Sequence, residues 1–351
     1  MKEDDKGTAA GTKFVILHDF PSREIERAWR DCLRRVEFPA HYHSPEFFRE
    51  PYWTGKRPFA ILAVDGDSVT GVLTGLHEGD QVISGRRSCS QVCADATADT
   101  RIALDSLARG LLAEAGSAQL ITVYSWSWLA LDPFKTFGFR PRQLAGNVVL
   151  DLTKGSEALF KQFHDDRRRN IRYAIRQGVE VFQATTTDDF LAYYDVYADW
   201  CVRKGTKGFP LELEETAFRL TTGNRRLFLA RVSGKTIAGN IFRFFPGGML
   251  ESARNNSLAE FLPYKPNDLL EWRGIEWACG EGLRRHSLGG SHFFLRRFGG
   301  TVVPICRYRL DRSLLRHHDR RDAVLDMARK AFHLLPKPTQ KRVRRFLGKK
   351  Y

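Results

Sequence analysis

The chain repeats itself. Leu62–Gly71 (LAVDGDSVTG) and Leu229–Gly239 (LARVSGKTIAG) each alternate apolar and polar residues, break at a glycine turn and resume, the pattern of a β-hairpin. After each come a further strand, a helical pattern, a short apolar strand and a Phe-Gly corner, FKTFGF (Phe134–Phe139) in the first half and FLRRFGG (Phe294–Gly300) in the second. The spacing from Gly71 to Gly138 is close to that from Gly239 to Gly299. A duplication on this scale predicts two similar α/β domains in tandem, and 351 residues suit two domains of about 100–200 residues each.

The expected organisation is a disordered segment over 1–12, a first domain over 13–151, a second over 152–311 with almost no linker at Leu152, and a basic helical tail over 312–351. FVILHDF reads as the first strand. SREIERAWRDCLRRV reads as a helix, with the Ser22 hydroxyl as N-cap and Glu24 and Glu26 at the positive end of its dipole. Ile25 holds the position where a capping box needs Glu or Gln. HYHSPEFFREPYW is a loop or short helix, Asp99–Ala115 a helix, and LITVYSW and GNVVLDL are strands. The second half opens with EALFKQFHDDRRRNIRYAIRQGVEV, read as one helix. Leu159, Phe160, Phe163, Ile171, Ala174 and Ile175 mark its buried side, Arg167, Arg168, Arg169, Arg172 and Arg176 crowd the other, and Gly178 supplies the C-terminal cap. That arginine face is either solvated or a cradle for phosphates, whose oxygens suit the guanidinium fork.

Between Arg312 and Tyr351 lie 13 Lys and Arg against three Asp, most of the net charge of +15. Such a tail can meet tRNA or an anionic membrane surface. Within it, Val324, Met327, Ala328, Ala331 and Leu335 fall at helical spacing, and the expectation is a helix packing this stripe on the body with its basic face solvated. No DNA-reading pattern is present. No apolar run reaches the ~18 residues of a membrane span, and the polar start of the chain argues against a secretory signal. The six cysteines are scattered without zinc-ligand spacing and are read as reduced thiols, so the expected location is the cytoplasm, with the inner face of the membrane open through the tail.

RRRNIRYAIRQGV, DWCVRKG, LFLARVSGKTIAGNIFRF, YKPNDLL followed by EWRGIEWACGEGL, and a final LGG with FLRRFGG resemble the FemAB-like branch of the GNAT acyltransferase superfamily, including cellulose-biosynthesis-associated acetyltransferases and peptidoglycan bridge-forming aminoacyl transferases. The resemblance runs from Phe14 to about Leu310. It implies an α/β (α+β) fold: tandem GNAT-like domains, each a mixed, mostly antiparallel sheet flanked by helices. It also implies acyl transfer to an amine near the second copy, with acyl-CoA (acetyl-CoA) as co-substrate and no metal. In the bridge-forming relatives the corner commonly reads F-K-x-x-F-G. Here Leu295 stands at the lysine position, and Arg296 or Arg297 is the available substitute cation.

Acyl transfer needs a base for the amine, donors for the oxyanion and an anion site for the donor. The Gly-rich turn with which GNAT enzymes hold pyrophosphate is missing. In its place Tyr264, Lys265 and the N–H groups of Asn267, Asp268 and Leu269 open a helix predicted from Pro266 to Gly280, and with Arg168, Arg172, Phe294 and Arg296 they form the candidate donor site. The plain alternative is an ordinary helix start. Glu251 and His292 are the candidate bases, although a lone strand Glu is commonly ion-paired and a His before two Phe commonly packs as a wall. Trp200, Arg203 and Lys204, joined by Tyr264 and, from the first half, His41, Tyr42 and His43, are candidates for the acceptor cleft. Three functions follow: an acyl-CoA-dependent N-acyltransferase acting on a cell-envelope or polysaccharide precursor, an aminoacyl-tRNA-dependent peptidyl transferase, or a non-catalytic adaptor on membrane or RNA.

Overall fold

A computed structural model describes residues 13–219, 224–336, 338–340 and 342. The N-terminal segment 1–12 and the end of the tail, 343–351, expected respectively as disordered and as helical tail, lie outside the described residues. In chain order the elements are β1 (Lys13–Leu17), α1 (Arg23–Arg35), three 3₁₀ turns between His41 and Trp53, β2 (Arg57–Asp65), β3 (Ser68–Glu78), β4 (Gln81–Ser84), β5 (Val92–Ala94), α2 (Thr100–Ala115), β6 (Leu120–Trp126), α3 (Asp132–Thr136) and β7 (Arg140–Asp151). The second half runs α4 (Ser156–Gln162), α5 (Asp165–Arg176), β8 (Glu180–Gln183), α6 (Thr187–Lys204), α7 (Leu211–Arg219), β9 (Arg225–Val232), β10 (Lys235–Phe244), β11 (Met249–Ser257), α8 (Pro266–Gly280), β12 (Arg285–Ser287), α9 (Phe293–Arg296), β13 (Thr301–Asp311) and α10 (His317–Leu334).

Both hairpins form as their turns demand. β2 and β3 close over Gly66 and Asp67, with Gly66 at φ +57, and β9 and β10 close over Ser233 and Gly234, both at positive φ. Two-residue loops of this kind match the twist of the strands they join. Each hairpin leads to one parallel pair, β4 with β6 in the first half and β11 with β12 in the second. Each is covered by a helix in the same relative place, α2 on β1–β3 and α8 on β9–β11.

The halves nevertheless do not separate at Leu152. All strands but one lie in a single sheet path, β1-β2-β3-β4-β6-β13-β7-β12-β11-β10-β9-β8, with β5 added beside β3. The last strand of each half crosses to the other: β13 pairs with β6, β7 pairs with β12, and β7 and β13 pair with each other along the middle. Val148 and Leu150 of β7 are buried in the second-half core, and Tyr308 of β13 in the first-half core, where its hydroxyl accepts from the Leu131 N–H (3.1 Å). The sequence divisions 13–151 and 152–311 therefore cut the chain without cutting the packing.

Several local expectations change. The Ser22 side chain makes no cap bond, and α1 starts instead with the Ser22 carbonyl accepting from the Glu26 N–H (2.8 Å). The single arginine-rich helix is two, broken at Phe163 and His164, and the His164 ring caps α5 by accepting from the Asp166 N–H (3.4 Å). Ile175 is exposed and Arg167 is buried, the reverse of their expected faces. The FLRRFG corner holds the short helix α9, which ends at Arg296 with Arg297 as its C-cap. All six cysteines are free thiols.

Candidate active site

The site grows out of the β11–β12 pair. These parallel strands match only across Met249–Arg285, Leu250–His286 and Glu251–Ser287. Beyond that, β11 continues to Ser257, while the chain after Ser287 turns to Val148, with Leu288 N–H donating to the Val148 carbonyl (3.0 Å) and Val148 N–H to the Gly290 carbonyl (2.8 Å). The strands part, and Ser252 is the first residue past the last pair. Side-chain alternation puts Leu250, Ser252 and His286 on the face beneath α8, and Glu251 on the opposite face.

Helix α8 starts at Pro266, where a missing N–H costs nothing, and buries Leu269, Leu270, Ile275 and Ala278. On the same row of the helix, Asp268 and Glu271 point inward and are also buried. Ser252 Oγ donates to Glu271 Oε1 (3.0 Å) and meets His286 Nε2 at 3.0 Å, while Asn240 Nδ2 donates to Glu271 Oε2 (3.1 Å). His286 Nε2 also lies 3.2 Å from Glu271 Oε1. Burial drives the His286 pKa down to about 3, so the ring is neutral and this contact is not an ion pair. A neutral ring protonated at Nε2 donates to Ser252, leaving Nδ1 bare, and Nδ1 indeed has no hydrogen-bond partner. Burial raises Glu271 to about 7, against the hydrogen bonds from Ser252 and Asn240, with the charge of Asp268 adding to the rise. The cluster is a hydroxyl polarised by a carboxylate that exchanges its proton near neutrality.

The start of α8 is occupied by protein charge. Arg167 Nη1 donates to Asp268 Oδ1 (2.6 Å), Asn170 reaches Asp268 Oδ2 at 3.5 Å, and the Arg167 guanidinium lies 4.6 Å from the centre of the Phe294 ring. Burial raises Asp268 to about 6, opposed by Arg167 and Asn170. Outside this clamp, Arg168, Arg172, Lys161, Phe160 and Trp272 line an open cavity of about 570 Å³.

A second cavity, of about 770 Å³, lies between the halves. Lys56 and Glu78, which pair with each other (2.6 Å), with Arg86, Arg87 and Tyr124 of the first half, Gly146 and Asn147 of β7, and Gly289, Gly290 and Ser291 after β12 contribute to it, leaving Arg86 and Arg87 as its unbalanced charge. The Asn147 amide holds the basic loop by donating to the carbonyls of Arg87 and Ser88 (3.4 Å each). Gly289 lines this cavity and packs closely on β11: a Cβ there would stand 3.0 Å from the Ser252 carbonyl.

Residues 165–297 match the acetyltransferase (GNAT) domain family. This segment therefore carries the acetyltransferase (GNAT) domain pattern. The fold is also that of FemX (TM-score 0.66, 13% identity, 84% of this chain and 96% of that one), of the C-terminal domain of a putative lysylphosphatidylglycerol synthetase from Agrobacterium fabrum (0.60, 14%, 87% and 96%), and of a tandem GNAT protein from the clavulanic acid biosynthesis pathway (0.53, 14%, 86% and 99%). Among curated proteins none matches by sequence. The duplicated halves agree with the tandem GNAT fold of the last of these, and the overall fold with that of FemX.

In the folded protein the candidate residues read from the sequence scatter. Glu251 is buried with neither carboxylate oxygen hydrogen-bonded, burial raises its pKa against the charge of Arg243, and it faces away from Ser252. His292 is exposed, caps α9 and stacks on Phe294 (6.2 Å between ring centres). His41 and Tyr42, expected to reach the acceptor, are 3% and 5% exposed in the seam between the halves, where Arg243 lies over the Tyr42 ring and bonds its hydroxyl. The neighbouring His43 is buried as well. Arg203 is held by Asp199 (2.9 Å) and the Ser257 carbonyl, Lys204 is exposed at the end of α6, and Trp200 packs on the α6 core. Tyr264 packs on Phe261, Lys265 begins α8 at φ +59, Asn267 Nδ2 reaches Ser257 Oγ (3.3 Å), and Leu269 is core. Arg296 donates to the Ser291 carbonyl (2.6 Å), and Leu295 is half-buried against the second-half core.

Asp268, Arg168, Arg172 and Phe294 thus gather around the α5–α8 junction, whereas neither candidate base belongs to the cluster. Sequence reasoning missed Ser252, Glu271, His286 and Asn240. The legible signal was the spacing Asp268, Glu271, Ile275, Ala278, which places two carboxylates on the apolar row of one helix. Among the described residues no His, Cys, Asp or Glu cluster suits a metal, and no helix is long and apolar enough to cross a membrane.

Proposed function

We propose that the protein is an acyltransferase that moves an aminoacyl group from an ester donor to an amine carried on an anionic acceptor, with Ser252 and Glu271 receiving the amine proton. The observation that carries this is the Ser252–Glu271–His286 cluster at the point where β11 and β12 part. An attacking amine is productive only unprotonated. Ser252 Oγ accepts its proton while passing its own to Glu271, and His286 holds the hydroxyl in line; as the tetrahedral intermediate collapses the ester C–O bond breaks, and the leaving hydroxyl takes the proton back from Glu271 through Ser252. A carboxylate with a pKa of about 7 is matched to this task at neutral pH. Backbone N–H groups along the parted edge of β11 supply oxyanion donors. The basic inter-half cavity supports an anionic acceptor such as a cell-envelope precursor.

The donor assignment rests on Asp268. A helix N-terminus attracts a pyrophosphate when its first turn is free, and here a buried carboxylate already occupies that turn in a pair with Arg167. That disfavours the pyrophosphate of acyl-CoA. The name lysylphosphatidylglycerol synthetase, borne by one structural neighbour, points the same way. Acyl-CoA is the second reading, favoured by the match to an acetyltransferase domain.

The test offers labelled aminoacyl-tRNA and, separately, labelled acetyl-CoA to the purified protein with amine acceptors. Transfer from the aminoacyl ester, lowered about 10²-fold or more in Ser252→Ala, is expected. Transfer from acetyl-CoA alone replaces the donor assignment, and an undiminished rate in Ser252→Ala removes the proton relay.

A further inference from the structure

Helix α10 sits on the body the wrong way round for a packing helix. Its start is fixed by β13 and the turn after it: Asp311 Oδ2 accepts from the Asp319 N–H (2.8 Å), and Ser313 Oγ from the His317 N–H (3.1 Å). Its acidic side then meets two arginines that project from β13. Asp322 Oδ2 accepts from Arg307 Nη1 (2.6 Å) and from Arg309 Nη1 (2.8 Å), and Asp319 lies 3.7 Å from Arg309. Since the helix is attached through charge, its apolar stripe points outward. At about 3.6 residues per turn, Val324, Met327, Ala331 and Leu335 fall on the side opposite Asp319 and Asp322.

The exposures agree. Along the stripe Val324 is 58% exposed, Met327 62% and Leu335 38%, and in the turn before the helix Leu314 is 86% and Leu315 66% exposed. The sequence expectation of a stripe packed on the body is reversed, because the body presents Arg307 and Arg309 at this place.

We propose that this stripe, with the basic segment that follows it, docks the protein on an anionic lipid bilayer. Charge complementarity selects the partner. Arg320 and Arg321 are exposed beside the stripe, and beyond Pro336 the sequence holds Lys337, Lys341, Arg342, Arg344, Arg345, Lys349 and Lys350 without one acidic residue. An apolar stripe flanked by Lys and Arg on a helix that does not span is the arrangement that lies in a bilayer interface, and anionic headgroups attract the basic residues around it. A second copy would bring the same dense positive charge against itself. RNA would engage the cations and leave the stripe in water. The inference is independent of which acyl donor the enzyme uses.

The experiment is flotation of the full-length protein with vesicles of phosphatidylglycerol and phosphatidylcholine, and with vesicles of phosphatidylcholine alone, at physiological salt. Binding to the anionic vesicles is expected, about tenfold or more stronger than to the neutral ones. The double variant Val324→Asp, Met327→Asp should lose that binding with an unchanged circular dichroism spectrum. Should it fail to fold, Met327→Gln with Leu335→Gln serves, with a smaller loss of the same kind. Deleting 337–351 should weaken binding and remove the preference for phosphatidylglycerol. Three results overturn the proposal: no binding to anionic vesicles, binding that the stripe variants leave intact, or a concentration-dependent dimer in sedimentation that the stripe variants abolish.

Discussion

Glu251 and Ser252 are neighbours in sequence and sit on opposite faces of one strand. Glu251 was chosen for its chemistry, since a carboxylate on a strand before a helix is a sound base. Alternation then carries it to the face against Arg243, and carries Ser252 to Glu271 and His286. Glu271 gives the sharpest test at this scale. If it is the proton acceptor, kcat/KM rises with pH through about 7 as Glu271 ionises, and Glu271→Gln removes that limb and lowers the rate about 10²-fold or more. Stability runs the other way. The native carboxyl keeps its proton to about 7, whereas the unfolded chain releases it near the ordinary 4.5, so the native state binds more protons between these values. Wild-type thermal stability should therefore fall as pH rises across that window and level off above it, and Glu271→Gln should flatten this component. A purely structural Glu271 would show the stability effect without the rate effect.

Elements were legible where periodicity and turn chemistry agree. Both hairpins, the helix from Pro266 to Gly280 and the helix ending at Ala115 follow from alternation, glycine turns and proline at the first helical position. The misses share a cause, which is contact from outside the element. Arg167 is buried because Asp268, far along the chain, receives it, and α10 turns its stripe outward because β13 offers arginines. Gly146 shows the same dependence in the backbone. A Cβ there would lie 1.8 Å from the Val303 carbonyl oxygen, where the β7–β13 register shifts. Gly146→Val should force the two crossing strands apart and destabilise the whole protein by several kcal/mol, well beyond the ~1 kcal/mol typical of substitutions, as read from the urea midpoint.

At the scale of the molecule the two halves are bound by exchanged strands and by a charged seam. The 3₁₀ segment of the first half inserts Glu50 against Arg225, which donates to both carboxylate oxygens (2.9 Å each), while Tyr52 donates to Glu214 (2.8 Å) and Arg254 donates to the same carboxylate (2.6 Å). Burial alone would raise Glu50, but the contact with His41 and the charge of Arg225 outweigh it and hold the pKa at about 2. Its stabilisation is therefore complete above the ordinary carboxylate range and lost as pH falls toward 2. Arg225→Met leaves Glu50 buried without its guanidinium partner, with the His41 contact alone, and should destabilise the protein by about 3 kcal/mol at neutral pH. Chemical unfolding with probes in each half should show one shared transition that moves as a whole. Independent transitions would mean that the seam and the exchanged strands do not couple the halves.

The sequence by itself determined the duplication, the class of fold and most of the elements, because hairpins, helix starts and apolar periods are set by residues a few positions apart. The tertiary structure decided which residues share a site, where the final strands go and which way the last helix faces. Those outcomes depend on partners 13 to 248 positions away in the chain, such as Arg309 with Asp322, Asn240 with Glu271, Glu50 with Arg225, or Val36 with Arg284, and no local pattern encodes them.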